Sequence, residues 1–191
     1  MLAVHQSTDR GLGKEAKMKK TNIAMIAAMG RGRVIGLDNY LPWEYISADM
    51  EHFREQTVHK PIIMGRKTFA SLGDKPLKDR INVVMSRQRT FYPVGYFHAF
   101  SAQEAIRIAE DEGQGAEIMV IGGAAVFQEF MPYANRLYIT FINEEFRGNV
   151  FFPFVPSQEW REVKRRIHMR GAKSPYDLVF VTLERVLPPI S

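Results

Sequence analysis

The chain of 191 residues has no cysteine, which excludes disulfides, thiolate nucleophiles and cysteine-ligated metals. Its five histidines, His5, His52, His59, His98 and His168, are scattered without the spacing of a metal centre, so no metal is expected. No apolar run reaches the roughly eighteen residues of a membrane-spanning helix, and the N-terminal stretch is polar where an export signal would be apolar. A cytoplasmic protein that neither enters nor crosses a membrane is therefore expected. Acidic residues are in the minority, 21 against 26 Lys and Arg, for a net charge of +5. Such a balance raises nucleic-acid binding. Several basic residues, however, fall in 10–20 and others in 164–170 without a regular interleaving of aromatics on which bases could stack, so no nucleic-acid partner is expected. Anionic small molecules account for the positive balance, and so does ordinary solvated charge.

What is present is 46% hydrophobic residues, enough for one substantial core in a chain of this length. Short apolar runs alternate with helical patterns, which predicts a single α/β domain over residues 21–187 with a central mixed, mostly parallel sheet flanked by helices. Residues 1–20 are polar, with Gly11, Gly13 and four lysines, and read as a disordered extension in which Met18 opens a Met-Lys-Lys stretch resembling a natural start. Ser101 caps a predicted helix through Ala109 with Glu104 in the capping-box position. The segments 137–142, 160–164 and 178–184 read as late strands, the last two as an antiparallel hairpin around 171–176.

The chemistry gathers in four places. From Ile23 the chain passes through the glycine-bearing loop 30–41 and the pair Pro42-Trp43 into a helical stretch in which Asp49, Phe53 and Gln56-Thr57 share one face, while Glu51, Arg54 and Glu55 fall on another. A carboxyl on the inner face of an apolar cleft has its charged form disfavoured, so it can hold or release a proton near neutrality and hydrogen-bond a flat heterocycle. Capping of the helix by Ser47 or Asp49 is the plain structural alternative. His52, beside that face, is expected to face solvent. The apolar run Pro61-Ile62-Ile63-Met64 turns through Gly65-Arg66-Lys67-Thr68 into a helix, and free amides, two cations and a hydroxyl there suit a phosphorylated cofactor, though a solvated loop reads the same way. Ile118-Met119-Val120-Ile121 ends in Gly122-Gly123, where bare backbone can approach a ligand, and continues as Ala124-Ala125-Val126-Phe127 in a helical pattern; a glycine pair after a strand is also a common turn. Arg80 precedes the strand that ends at Ser86-Arg87, and a guanidinium there can grip a carboxylate with two parallel hydrogen bonds.

The ordered set Ile26-Ala27-Ala28, Val34-Ile35-Gly36, Asn39-Tyr40-Leu41-Pro42-Trp43, Asp49, Phe53, the run from Lys60 to Phe69, the run from Arg80 to Ser86, the run from Ile118 to Gly123, and Leu137-Tyr138-Ile139-Thr140 resembles the bacterial dihydrofolate reductase family over residues 23–185. The resemblance implies NADPH-dependent reduction of 7,8-dihydrofolate to tetrahydrofolate, by hydride transfer to C6 and protonation at N5, in one-carbon metabolism. It implies a monomer that is an antifolate target. It carries Asp49, Trp43 and Leu41 over as catalytic. Ile26, Ala27, Ala28, Phe53, Leu72, Arg80, Ile121 and Thr140, with Asp49, would surround the substrate, Arg80 holding the α-carboxylate of its glutamate tail. Ala28, Ile35, Gly36, Gly65, Arg66, Lys67, Thr68, Ser86, Arg87, Ile121, Gly122, Gly123, Ala124, Ala125, Val126 and Phe127 would line the cofactor. In that family the Gly-Gly step is a cis peptide and the loop 30–41 closes over the nicotinamide.

The chain departs from the family pattern in three places. Ala124-Ala125 replaces a basic residue after the glycines, Phe127 replaces a tyrosine whose hydroxyl would sit near the nicotinamide, and Asn149 replaces an aspartate, which is expected to weaken contacts that order the loop. Two rival readings remain: a reductase of the same fold acting on a pyrimidine intermediate of riboflavin synthesis, which the Leu41-Pro42-Trp43 to Asp49 arrangement disfavours, and a catalytically silent nucleotide- or folate-binding module, which the acid and both glycine turns oppose.

Overall fold

A computed structural model of the chain describes residues 21–89 and 94–186. The polar extension 1–20 and the end of the expected domain at 187 lie outside the described residues. Eight strands form one sheet: β1 (Ile23–Met29), β3 (Pro61–Gly65), β4 (Ile81–Met85), β5 (Phe97–Ala99), β6 (Ile118–Gly122), β7 (Arg136–Ile142), β9 (Trp160–His168) and β10 (Leu178–Arg185). Their order is β5-β4-β3-β6-β1-β7-β10-β9. Pairing is parallel from β5 across to β7, and antiparallel for β7 with β10 and β10 with β9, as the sequence predicts. A separate two-stranded ribbon joins β2 (Val34–Gly36) to β8 (Val150–Phe151).

The central strands are apolar on both sides because both sides are covered. Ile62, Ile63 and Met64 of β3 and Met119 and Val120 of β6 are all 0% exposed, the pattern of a parallel sheet sandwiched between helices. On one face Ile63, Val83, Val120 and Ile139 pack with Ala105 and Ala109 of α3 (Ala102–Gly113) and Phe130 of α4 (Ala124–Phe130). On the other, Ile26, Ile62, Met64 and Met119 pack with Phe69 of α2 (Arg66–Ser71) and with Phe53 of α1 (Ser47–Thr57). A third cluster of Trp43, Ile46, Ala48, Ile142, Leu178 and Phe180 holds the start of α1 against the antiparallel end of the sheet.

Element boundaries differ from the sequence expectation where tertiary pairing decides. β9 continues to His168, past the expected end at 164, because pairing with β10 extends to Leu178. α3 continues past Ala109 to Gly113 and ends where Gln114 takes a left-handed conformation, φ 50°. The Ser101 cap forms, its Oγ accepting from the Glu104 amide at 3.2 Å, but the Glu104 carboxylate accepts from the Phe100 amide at 2.8 Å rather than from that of Ser101.

Candidate active site

α1 has no cap of its own. Ile46 occupies the capping position with no side-chain bond, and the alternative in which Ser47 or Asp49 caps the helix is overturned. Ser47 Oγ instead donates to the Lys173 carbonyl at 3.1 Å, and the Ala48 amide donates to the same oxygen at 3.1 Å. Asp49 is thereby free to turn toward the sheet, where it is half-buried and hydrogen-bonded with the Thr140 hydroxyl. Burial raises its carboxyl above the ordinary carboxylate range, and the Thr140 bond pulls the other way. Thr140 is 2% exposed and lies in register with Ala28 of β1 on one side and Phe180 of β10 on the other.

The rest of this wall comes from β1, α1 and the ends of β6 and α2. Ile26, Phe53 and Ile121 share one cluster, while Ala28 and Trp43 share the adjoining one, in which the Trp43 ring stands 5.2 Å from Phe146. The Ala27 side chain packs with the opposite sheet face, as strand alternation requires. Leu41 and Leu72 stand at the rim, 59% and 37% exposed. Arg80 is oriented by its neighbours: Nε donates to Thr57 Oγ1 at 2.9 Å, Nη1 donates to the Lys78 carbonyl at 2.7 Å, and the Thr57 hydroxyl donates to the Phe53 carbonyl at 2.7 Å. The guanidinium lies 5.9 Å from the Phe53 ring. This chain of bonds ties the cation to the same turn of α1 that presents Phe53.

The two glycine turns sit at the carboxyl ends of neighbouring parallel strands, which is where a crevice opens in an α/β sheet. The register slips beside Ile121, so that Gly122 rather than Ile121 stands opposite Met64. The Gly122-Gly123 peptide is cis, and Gly122 has φ 114°, a conformation side chains rarely adopt. A Cβ on Gly123 would lie 3.3 Å from Thr68 Oγ1, so the two turns abut and an added side chain would press on that hydroxyl. Around them Arg66, Lys67 and Arg87 are exposed, and none forms an ion pair among the described residues. Ser86 Oγ accepts from the Gln88 amide at 3.1 Å, turning the chain at the end of β4. Bare glycine backbone, a hydroxyl and three unpaired cations suit a phosphorylated dinucleotide. Val126 and Phe127 lie directly behind the two turns, Val126 against Gly65 and Phe127 against Gly122. They are 7% and 3% exposed, and the Phe127 ring packs behind Gly122 and 4.9 Å from Phe152. Ile35 likewise packs against the core, whereas Gly36 pairs in the ribbon.

Two further expectations are corrected. Asn149 does not loosen the loop: its Nδ2 donates to Asp38 Oδ1 at 2.9 Å, its Oδ1 accepts from the Asp38 amide at 3.2 Å, and its own amide donates to the Gly36 carbonyl at 3.1 Å. His52 does not simply face solvent. It is half-buried with its ring 4.6 Å from Phe180, and burial first and the positive charge of Arg166 second lower its pKa to about 4. Nothing in the sequence marked it, because the ring that covers it, Phe180, lies far downstream. A cavity of about 400 Å³ on this side of α1, lined by His52, Gln56, Tyr138, Arg166, Thr182 and Glu184, shares no lining residue with either glycine turn.

A sequence model of the dihydrofolate reductase family matches residues 22–185. Dihydrofolate reductase type 3 of Salmonella typhimurium is 40% identical over 163 residues, covering 85% of this chain and 98% of that protein. The dihydrofolate reductase of Staphylococcus haemolyticus is 37% identical, covering 86% and 96%, and that of Bacillus subtilis 38%, covering 85% and 94%. The solved structure of dihydrofolate reductase from Enterococcus faecalis complexed with NADP(H) and RAB-propyl superposes with a TM-score of 0.80 at 30% identity, covering 88% of this chain and 98% of that one. The family match, these relatives and the shared fold agree, and the chain belongs to the dihydrofolate reductase family.

Proposed function

We propose that Asp49 anchors the pteridine of 7,8-dihydrofolate while the chain carries out its NADPH-dependent reduction to tetrahydrofolate. The observation that carries this reading is the half-buried Asp49 carboxyl paired with Thr140, on a wall that leads to the two glycine turns. NADPH supplies the hydride for C6 when bound. The protein's part is to bind, orient and exclude water. Asp49 accepts hydrogen bonds from the amidine-like edge of the pteridine, and its charge favours protonation at N5, the proton arriving through water because the carboxyl grips the other side of the ring. Thr140 and Trp43 hold that edge. Phe53, Ile26, Leu72 and Ile121 enclose the pterin and benzoyl parts, and Arg80 pairs with the α-carboxylate of the tail. Gly65 to Thr68, Ser86-Arg87 and the Gly122-Gly123 step hold the dinucleotide, with Arg66 and Arg87 beside its 2′-phosphate. Leu41 and the loop 30–41 cover the nicotinamide and keep out bulk water.

The reaction belongs in this reading to a cytoplasmic monomer that binds dihydrofolate and antifolates and no nucleic acid. Among the described residues no helix is long and apolar enough to cross a membrane. The test is the loss of NADPH absorbance on addition of dihydrofolate, with and without a diaminopyrimidine antifolate. Consumption that the inhibitor abolishes supports the reading. NADPH left unconsumed with dihydrofolate, but consumed with a riboflavin-pathway pyrimidine, rejects it.

A further inference from the structure

The helix that carries Asp49 takes its N-terminal bonds from a segment far along the chain. The first amides of an α-helix have no partner inside it, and Ile46 offers none. The Lys173 carbonyl fills that role for Ala48 and also accepts from Ser47 Oγ, both at 3.1 Å, while Lys173 Nζ pairs with Glu51 Oε2 at 2.9 Å. One residue at the tip of the β9–β10 hairpin thus touches the turn on either side of Asp49.

The tip is built stiffly enough to act as a clamp. The Gly171 amide donates to the Ser174 carbonyl at 2.7 Å and the Ser174 amide returns to Gly171 at 3.1 Å. Ser174 is 1% exposed, its Oγ donates to the Tyr176 carbonyl at 2.6 Å and accepts from the Tyr176 amide at 3.1 Å. The Asp177 carboxylate closes the base by accepting from the Arg170 amide at 2.8 Å. The same tip reaches Trp43 through aromatic contact: Tyr176 stands 5.4 Å from Phe146, which stands 5.2 Å from Trp43.

We propose that the hairpin tip sets the position of the acid for catalysis, with Lys173 and Ser174 as positioning residues that touch neither substrate nor cofactor. The inference rests on Asp49 being the residue that anchors the pteridine. A carboxyl displaced by a fraction of an ångström loses its alignment with the ring, and such misplacement from afar is costly in rate. The titratable and charged groups around this end of α1 are Glu51, His52 and Glu55 on the helix, Arg166 and His168 on β9, and Lys173 itself. A loosened tip admits water to Asp49, so its carboxyl moves down toward the ordinary range.

The test measures single-turnover NADPH oxidation at saturating dihydrofolate as a function of pH, together with NADPH affinity and thermal stability, in Ser174→Ala, Lys173→Glu, Glu51→Lys, the Lys173→Glu/Glu51→Lys pair and Asp49→Asn. Ser174→Ala is expected to slow hydride transfer about tenfold, with NADPH affinity held within about twofold and the acid limb of the pH profile, where Asp49 loses its charge, moving to lower pH. Lys173→Glu sets two carboxylates together on an exposed surface and is expected to slow it about threefold, with the charge-reversed pair restoring the rate. Lys173→Glu leaves the buried Ser174 untouched and answers the question even where Ser174→Ala does not fold. Variants that lose thermal stability yet keep the native rate and pH profile overturn the clamp. If Asp49→Asn itself reduces dihydrofolate at the native rate, the assignment of the acid fails instead, and the two failures are distinguished.

Discussion

Asp49 is placed where it costs the fold something. Its carboxyl is raised by burial, so the folded state binds the proton more tightly than the unfolded chain does. Stability from this group is fully present below the ordinary carboxylate pKa and lost as pH rises through the raised value. Asp49→Asn is therefore expected to unfold at a higher temperature than the native protein at pH 8, with the gain vanishing in acid, while dihydrofolate reduction falls about 100-fold or more, most at high pH. Thermal melts and turnover across pH check both halves. His52 runs the other way. Its pKa is lowered from 6.5 to about 4, so the neutral ring belongs to the fold and stability is lost as pH falls from 6.5 toward 4. His52→Phe should flatten that part of the melting curve, and an unchanged acid limb would show that the ring is not the group responsible. Of these two residues the sequence made one legible: helical spacing puts Asp49 beside Phe53 on an inward face, but nothing in a lone histidine tells whether a phenylalanine 128 positions downstream, Phe180, will cover it.

At the scale of elements, what could be read depended on length and periodicity. β1, β3 and β6 are continuous apolar runs buried on both faces, so their sequence signal survives intact. The ribbon strands β2 and β8 span Val34–Gly36 and Val150–Phe151, too short for any period to develop, and β9 has exposed residues from Arg161 through Ile167, with no alternation to detect. Contacts between distant segments are equally silent in sequence. The Asp38–Asn149 link spans 111 positions, yet it decides what the Asn149 departure does. An amide there both donates to and accepts from Asp38, whereas a carboxylate would meet a carboxylate. Asn149→Asp is accordingly expected to open the ribbon, speed proteolysis of the loop 30–41 and slow hydride transfer severalfold, with Asp38→Asn restoring both in the double variant. Limited proteolysis and single-turnover kinetics measure the two effects. Equal loss in the double variant would mean that the pair does not couple.

For the molecule as a whole, parallel pairing of β3, β4 and β6 sets three strand ends side by side, and each end is followed by a turn rich in cations or in glycine. That arrangement gathers part of the net charge of +5 at these turns: Arg66, Lys67 and Arg87 flank bare backbone without an acid partner among the described residues. Exposed unpaired cations act on a phosphate through screened charge and through hydrogen bonds made only when the anion arrives. The extra phosphate of NADPH should feel them, and NADH should not. Replacing Arg66 and Arg87 together by Ala is expected to weaken NADPH binding by about 1.5–3 kcal/mol, in the range of hydrogen bonds to charged groups, with NADH affinity nearly constant. Raising ionic strength from 0.01 to 1 M shortens the screening length from about 30 to about 3 Å, so native selectivity should fall with salt while that of the double variant stays level. Titration of each cofactor by fluorescence at several salt concentrations makes the comparison. Equal losses for NADPH and NADH would place the 2′-phosphate elsewhere, because cations that do not face it have no means of telling the two cofactors apart.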